Sequence, residues 1–196
     1  MRLSKKLFLI FFIFLCACSS FNQHLQKLKS ESAIERCEAI QWLYFNVKTQ
    51  TSEKLLVDAL EKDQSMIVRS LAARIMALEG RKEFIPLLEK ALYDENPLVR
   101  MEAVQSLGSL KSKSSIPKLT ELLLKDPDLQ VRLKVLKSIQ YMQSEEETTL
   151  ALIDSLDDQE ASVRFHSLLL LEKSTKNKFG SDKESWKKWY QANLKK

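Results

Sequence analysis

Along most of the chain apolar residues recur three, four and seven positions apart, as in Val99, Ala103, Val104 and Leu107, with Lys, Glu, Gln and Ser between them. That spacing draws one apolar stripe down a 3.6-residue helix, whereas a half-buried strand would alternate every second residue. Shorter amphipathic segments lie between these helices, and the pattern predicts them over Glu53–Lys62, Glu83–Leu92, Ser115–Lys125 and Glu146–Leu156. Two of them open on Ile85-Pro86 and Ile116-Pro117, where a proline removes no needed hydrogen bond. A leading pair is predicted over Phe21–Lys29 and Ser32–Val47. The one stretch without periodicity is Leu7–Ala17, eleven uninterrupted apolar residues.

The helical pattern itself repeats. Arg36, Arg69, Arg100, Arg132 and Arg164 stand 33, 31, 32 and 32 residues apart. Asp63, Asp94, Asp126 and Asp158 stand six positions before the last four, and Ser30 holds that place before Arg36. Valine precedes the same four arginines, a small or β-branched residue follows three positions later, and an aliphatic one seven positions later. Four residues before each Arg come Ser32, Ser65, Asn96, Asp128 and Glu160, and the first four are good helix N-caps. The period therefore contains two helices, and self-similarity at this length is the mark of a repeat architecture.

These residues resemble HEAT repeats, of the short bacterial type also found in phycobilisome lyases. The resemblance implies an all-α fold, an α-α superhelix in which about five helix pairs form a HEAT-like solenoid over residues 18–175. The Asp and Arg columns read as a stacking ladder, because identical geometry at every unit suits stacking whereas an active site needs different groups converging once. Beyond Phe179-Gly180, Ser181-Asp182-Lys183-Glu184 reads as a capping box. It opens a terminal helix with Trp186, Trp189 and Tyr190 on one stripe, so residues 176–196 are expected to cap the array.

Composition narrows the chemistry. With 2 His and 3 Cys among 196 residues there is neither a zinc framework nor a disulfide scaffold, and no metal or cofactor is expected. The few glycines form no phosphate-binding loop, and no nucleophile has a base at motif spacing. These absences lead to the expectation of a non-catalytic protein, not an enzyme. Positions one and five after each Arg are expected on the concave face of the solenoid. There Met101, Leu133 and Phe165 form an apolar row, the candidate partner-binding surface, unless they pack between repeats.

The apolar run follows Arg2, Lys5 and Lys6 and spans only about 16 Å as helix, short of a bilayer's roughly 30 Å. It reads as a signal-peptide core over residues 1–17. Its end, Leu15-Cys16-Ala17-Cys18, resembles the lipobox of bacterial lipoproteins. That resemblance implies that Cys18 becomes the first mature residue, with a thioether-linked diacylglycerol and an N-acyl chain such as palmitate. Ser19 is not the Asp that retains many Gram-negative lipoproteins in the inner membrane, so in such a cell the outer membrane is the expected address. Loss of the leader takes the formal charge from +5 to +2, which leaves little to attract nucleic acid.

The sequence thus points to a lipid-anchored scaffold or assembly factor for an unidentified protein of the bacterial cell envelope, with no nucleic-acid partner and no small-molecule substrate. The alternatives are a bilin-lyase-like enzyme or a nucleic-acid-binding HEAT-like module. Mass spectrometry of the N-terminal peptide from native membranes is expected to show diacylglyceryl-modified Cys18, with the modification missing in Cys18→Ala. A free thiol at Cys18 would overturn the lipobox reading.

Overall fold

A computed structural model describes residues 19–142 and 145–193; Leu7–Ala17 and Cys18 lie outside them. Among the described residues the fold is all-α. Helix α1 covers residues 19–27. It is followed by α2 (Ala33–Val47), α3 (Gln50–Lys62), α4 (Met66–Leu78), α5 (Ile85–Ala91) and α6 (Pro97–Ser109). Then come α7 (Ile116–Lys125), α8 (Leu129–Met142), α9 (Glu145–Asp154), α10 (Ala161–Thr175) and α11 (Lys183–Asn193). None of these helices is long and apolar enough to cross a membrane.

Element boundaries follow local chemistry. Helix α3 starts three residues before the predicted Glu53, because Thr49 and Ser52 cap it reciprocally. Thr49 Oγ1 accepts from the Ser52 amide at 3.4 Å, and Ser52 Oγ accepts from the Thr49 amide at 2.9 Å. Helices α5 and α7 each follow a 3₁₀ turn, Lys82–Phe84 and Lys113–Ser115, with Pro86 and Pro117 in their first turns. Of the four predicted caps, Ser65, Asn96 and Asp128 accept from amides two residues on, at 3.3, 3.0 and 2.8 Å. Ser32 makes no side-chain cap bond; instead its own amide donates to Ser30 Oγ. The terminal helix is capped one residue later than the sequence pattern predicts. Asp182 Oδ1 accepts from the Glu184 and Ser185 amides at 3.1 and 3.2 Å, and its negative charge suits the helix N-terminus better than a neutral Ser181 hydroxyl would.

The chain divides between Ala72 and Ala73, inside α4, into two compact units. In the first, α2 packs on α3 around Ala39, Leu43 and Leu56, all at most 1% exposed. His24 of α1 stacks on Trp42 of α2 with centroids 4.2 Å apart, so it is a packing residue.

In the second unit the helices form two rows. Second helices α6, α8 and α10 lie side by side, and first helices α7, α9 and α11 form the other row. Val99, Ala103 and Leu107, then Val131 and Val135, then Val163 and Leu171, are all fully buried between the rows. Each such side chain contributes about 1.5–3 kcal/mol if it is a full Val or Leu. Trp186 is also fully buried, and its indole N–H donates to the Gly180 carbonyl at 2.8 Å. Helix α11 thereby packs on α9, with Lys183 bridging Asp154 and Asp157.

The helices of the second row come close where side chains are small. A Cβ on Gly108 would lie 2.9 Å from Ser138 Oγ and 3.0 Å from Ser138 Cβ. Nearby, Ser106 Oγ donates to the Ala73 carbonyl at 3.0 Å, and Ser138 Oγ to the Val104 carbonyl at 3.2 Å. These serines stitch one second helix to the next, at a repeat position the sequence reading did not single out.

Arginine and aspartate tie each loop to the next repeat. In the first unit Arg36 Nε and Nη2 meet Asp63 at 2.8 Å each, while Nη1 donates to the Ser30 and Glu31 carbonyls. In the second, Arg100 grips Asp126 with the same two bonds at 2.8 Å, and Arg132 meets Asp158 at 2.9 and 3.1 Å. Each aspartate also accepts from the amide two residues on: Ser65, Asp128 and Glu160. Burial pushes the Asp63 carboxyl up, but Arg36 and the Ser65 amide outweigh it and hold it below its ordinary value.

Two outcomes follow. Gly108→Ala is expected to cost about 1–3 kcal/mol through overpacking, and adding Ser138→Gly to recover most of it in a thermal-unfolding double-mutant cycle. The Asp63 contribution is complete above the unfolded carboxyl's value of about 4 and is lost as pH falls through the lower folded value. Asp63→Asn is therefore expected to be least stable relative to wild type near neutrality, with the gap closing below about pH 4 in urea titrations.

Candidate functional site

A cavity of about 640 Å³, open on one side, lies between α8 and α10. Helix α8 contributes Leu133, Leu136, Lys137 and Gln140, and α10 contributes His166, Leu169, Leu170 and Lys173. Each set is spaced i, i+3, i+4, i+7, so each is one helix face, and the two faces look at each other across the groove. Leucines form the floor and walls. Lys137, Lys173, Gln140 and His166 are exposed around them.

His166 Nδ1 donates to the Ser162 carbonyl at 2.7 Å, which fixes its tautomer when neutral and leaves Nε2 as an acceptor. Its ring stands edge-on to Phe165, centroids 5.6 Å apart. The site can hold an apolar body about the size of a cofactor, with cations and one ring nitrogen at its border.

Of the candidate row, Leu133 is half-buried in the groove wall, Phe165 is 58% exposed next to the lining residue His166, and Met101 is half-buried on α6 outside the lining. Arg36, Arg100 and Arg132 with Asp63, Asp126 and Asp158 lie in the ladder, outside the groove. Arg69 Nη1 and Arg164 Nη1 donate to their own loop carbonyls, those of Asp63 and Asp158, and the Asp94 carboxylate accepts from the Asn96 amide. Cys18 lies outside the described residues. Burial pushes the Cys37 thiol up, and Asp63 pushes it further, so it is poorly suited as a nucleophile.

The sequence pattern did not mark His166, Gln140, Leu170 or Lys173 as site residues. Their common signal was available in the i, i+3, i+4, i+7 faces, but their offsets from the ladder Arg differ by one between α8 and α10. A search along fixed repeat offsets passes over that shift. Among the described residues no group of three or more His, Cys, Asp or Glu is placed to hold a metal ion.

Fold and groove together define an all-α protein of stacked helix pairs with a ligand-sized cleft between second helices. Residues 53–140 match the HEAT-repeat model, so that stretch carries HEAT repeats. No curated protein matches its sequence. Among solved structures it is similar to the complex of CpcE and CpcF of phycocyanin lyase from Nostoc sp. PCC7120, with a TM-score of 0.59 and 23% identity. The match covers 80% of this chain and 65% of that one, so this chain spans somewhat under two thirds of that solved chain.

This likeness corrects three expectations: a non-catalytic cell-envelope scaffold, the absence of enzymatic function, and the absence of a small-molecule substrate. They rested on finding no nucleophile or metal motif in the sequence. A similar array occurs in the complex of phycocyanin lyase subunits, so the fold does not by itself argue against catalysis.

Proposed function

We propose that this chain is a bilin-lyase-like HEAT-repeat protein that holds a linear tetrapyrrole in the groove between α8 and α10. The observation that carries the reading is the groove itself, about 640 Å³ with leucines facing one another and lysines at the border. A tetrapyrrole is a flat apolar body with acidic substituents, and such a cleft removes its faces from water while leaving its charged edges near cations. The fold likeness to a phycocyanin lyase supports the same choice of ligand.

Joining a bilin to a cysteine of an acceptor protein is an addition. The thiol S–H bond breaks, a C–S bond forms at one carbon of a C=C, and the proton goes to the other, with nothing leaving. The chain's task in such a step is to hold and orient the bilin and exclude water from one face. Lipid attachment at Cys18 and an envelope address remain part of this proposal, supported by the Leu15-Cys16-Ala17-Cys18 sequence.

Titration of the purified protein with biliverdin is expected to give a saturable red shift and induced circular dichroism. Leu169 is 46% exposed, so Leu169→Asp is expected to leave the melting temperature unchanged while weakening binding by about tenfold, roughly 1.4 kcal/mol. Absence of any saturable spectral change in wild type would overturn the reading.

A further inference from the structure

A second, smaller cavity of about 310 Å³ adjoins the groove, and Lys137 lines both. It lies between α6 and α8, walled by Gln105, Gly108, Lys111 and Lys134. Its lining contains three lysines and no acid.

Some lysines of the molecule are neutralised by a carboxylate and others are not. Lys27, Lys62, Lys118, Lys125, Lys183 and Lys187 each pair with a carboxylate. Lys111, Lys134 and Lys137 pair with none among the described residues. The acid on this helix face, Glu102, is taken by Arg74 in two bonds of 2.9 Å.

A repeating cross-helix pair explains the contrast. The residue five after one ladder Arg meets the residue two after the next. At the first such step in the second unit the pair is Arg74–Glu102, which cancels. At the next it is Gln105–Lys134, a hydrogen bond of 3.0 Å that positions the ammonium and leaves its charge unmatched. At the last it is Lys137 and His166, both on the groove. The surface therefore becomes uncompensated and basic where the cavities begin. Lys111 joins from the end of α6, its backbone held at φ 51° by bonds from its own amide to Gly108 and from Ser112 to Leu107.

We infer that Lys111, Lys134 and Lys137 form a carboxylate-binding subsite that receives the acid groups of an amphipathic ligand whose apolar body lies in the leucine groove. The inference rests on the tetrapyrrole reading for the ligand's identity, but the subsite selects the free acid whatever the body. Three lysines lining one cleft, with no carboxylate in that lining, favour an anion by direct Coulomb attraction. Removing the negative charge from the ligand then removes the preference.

The test compares biliverdin with its dimethyl ester, and 11-(dansylamino)undecanoic acid with its methyl ester, by absorbance and fluorescence titration. Wild type is expected to bind each acid about tenfold more tightly than its ester. The double variant Lys111→Gln, Lys134→Gln is expected to bring the acids to the esters' level without moving ester affinity or the melting temperature. Equal binding of acid and ester by wild type, or a preference that survives in the double variant, overturns the subsite and leaves the groove reading standing. Lysine-dependent binding of the dansyl acid with no binding of either tetrapyrrole upholds the subsite and overturns the tetrapyrrole reading. No binding of any of the four overturns both.

Discussion

The bond between a ladder arginine and the aspartate of the following loop is the constraint on which the rest depends. One guanidinium uses two nitrogens on a carboxylate about 27 residues on, and a third on the carbonyls of its own loop, as with Arg36 and Asp63. The same carboxylate accepts the amide that leads into its helix. A single residue pair thus sets loop shape, helix start and the step to the next repeat. Burial makes the arrangement exacting, because an arginine or aspartate left without its partner in such a place costs about 3–5 kcal/mol.

With the step fixed, small residues determine how closely second helices approach. Gly108 faces Ser138 with no room for a methyl group, and Ser106 and Ser138 close the same contact with hydrogen bonds to carbonyls of the preceding helix. The residues three and seven positions after each ladder Arg are buried in every repeat. What remains variable is the outer face of the second helices. Arg74–Glu102, Gln105–Lys134 and Lys137 with His166 occupy equivalent places there and differ entirely in charge. A scaffold of this kind can change its ligand without changing its stacking, and an array of one fold can therefore serve unrelated chemistries.

The groove and the lysine pocket are products of that variation. Neither contains a sequence motif, since each takes ordinary leucines and lysines from two helices about 30 residues apart. The absence of a nucleophile or metal motif from the sequence does not exclude a small-molecule site, because holding an apolar acid requires surface and charge and no residues of recognisable spacing. Of the row Met101, Leu133 and Phe165, only Leu133 lines the groove. Equal offsets from the ladder Arg do not guarantee equal surroundings once α10 presents its groove face one position later than α8.

The sequence by itself determined the helical class, the period, the ladder residues and the buried positions, because these depend on spacing along one chain and recur often enough to be read against the background. Helix starts were legible at Asn96 and Asp128, where one side chain does the capping, and were misplaced at Thr49 and Ser52, where two cooperate, and by one residue at Asp182. Only the tertiary structure decided which lysines meet carboxylates, that His166 borders a groove, and that Leu133 shares a wall with Lys137 while Met101 does not. Periodic packing is written in local sequence. A binding surface is set by the lateral alignment of helices from different repeats, and that alignment depends on distances between side chains that no single stretch of sequence contains.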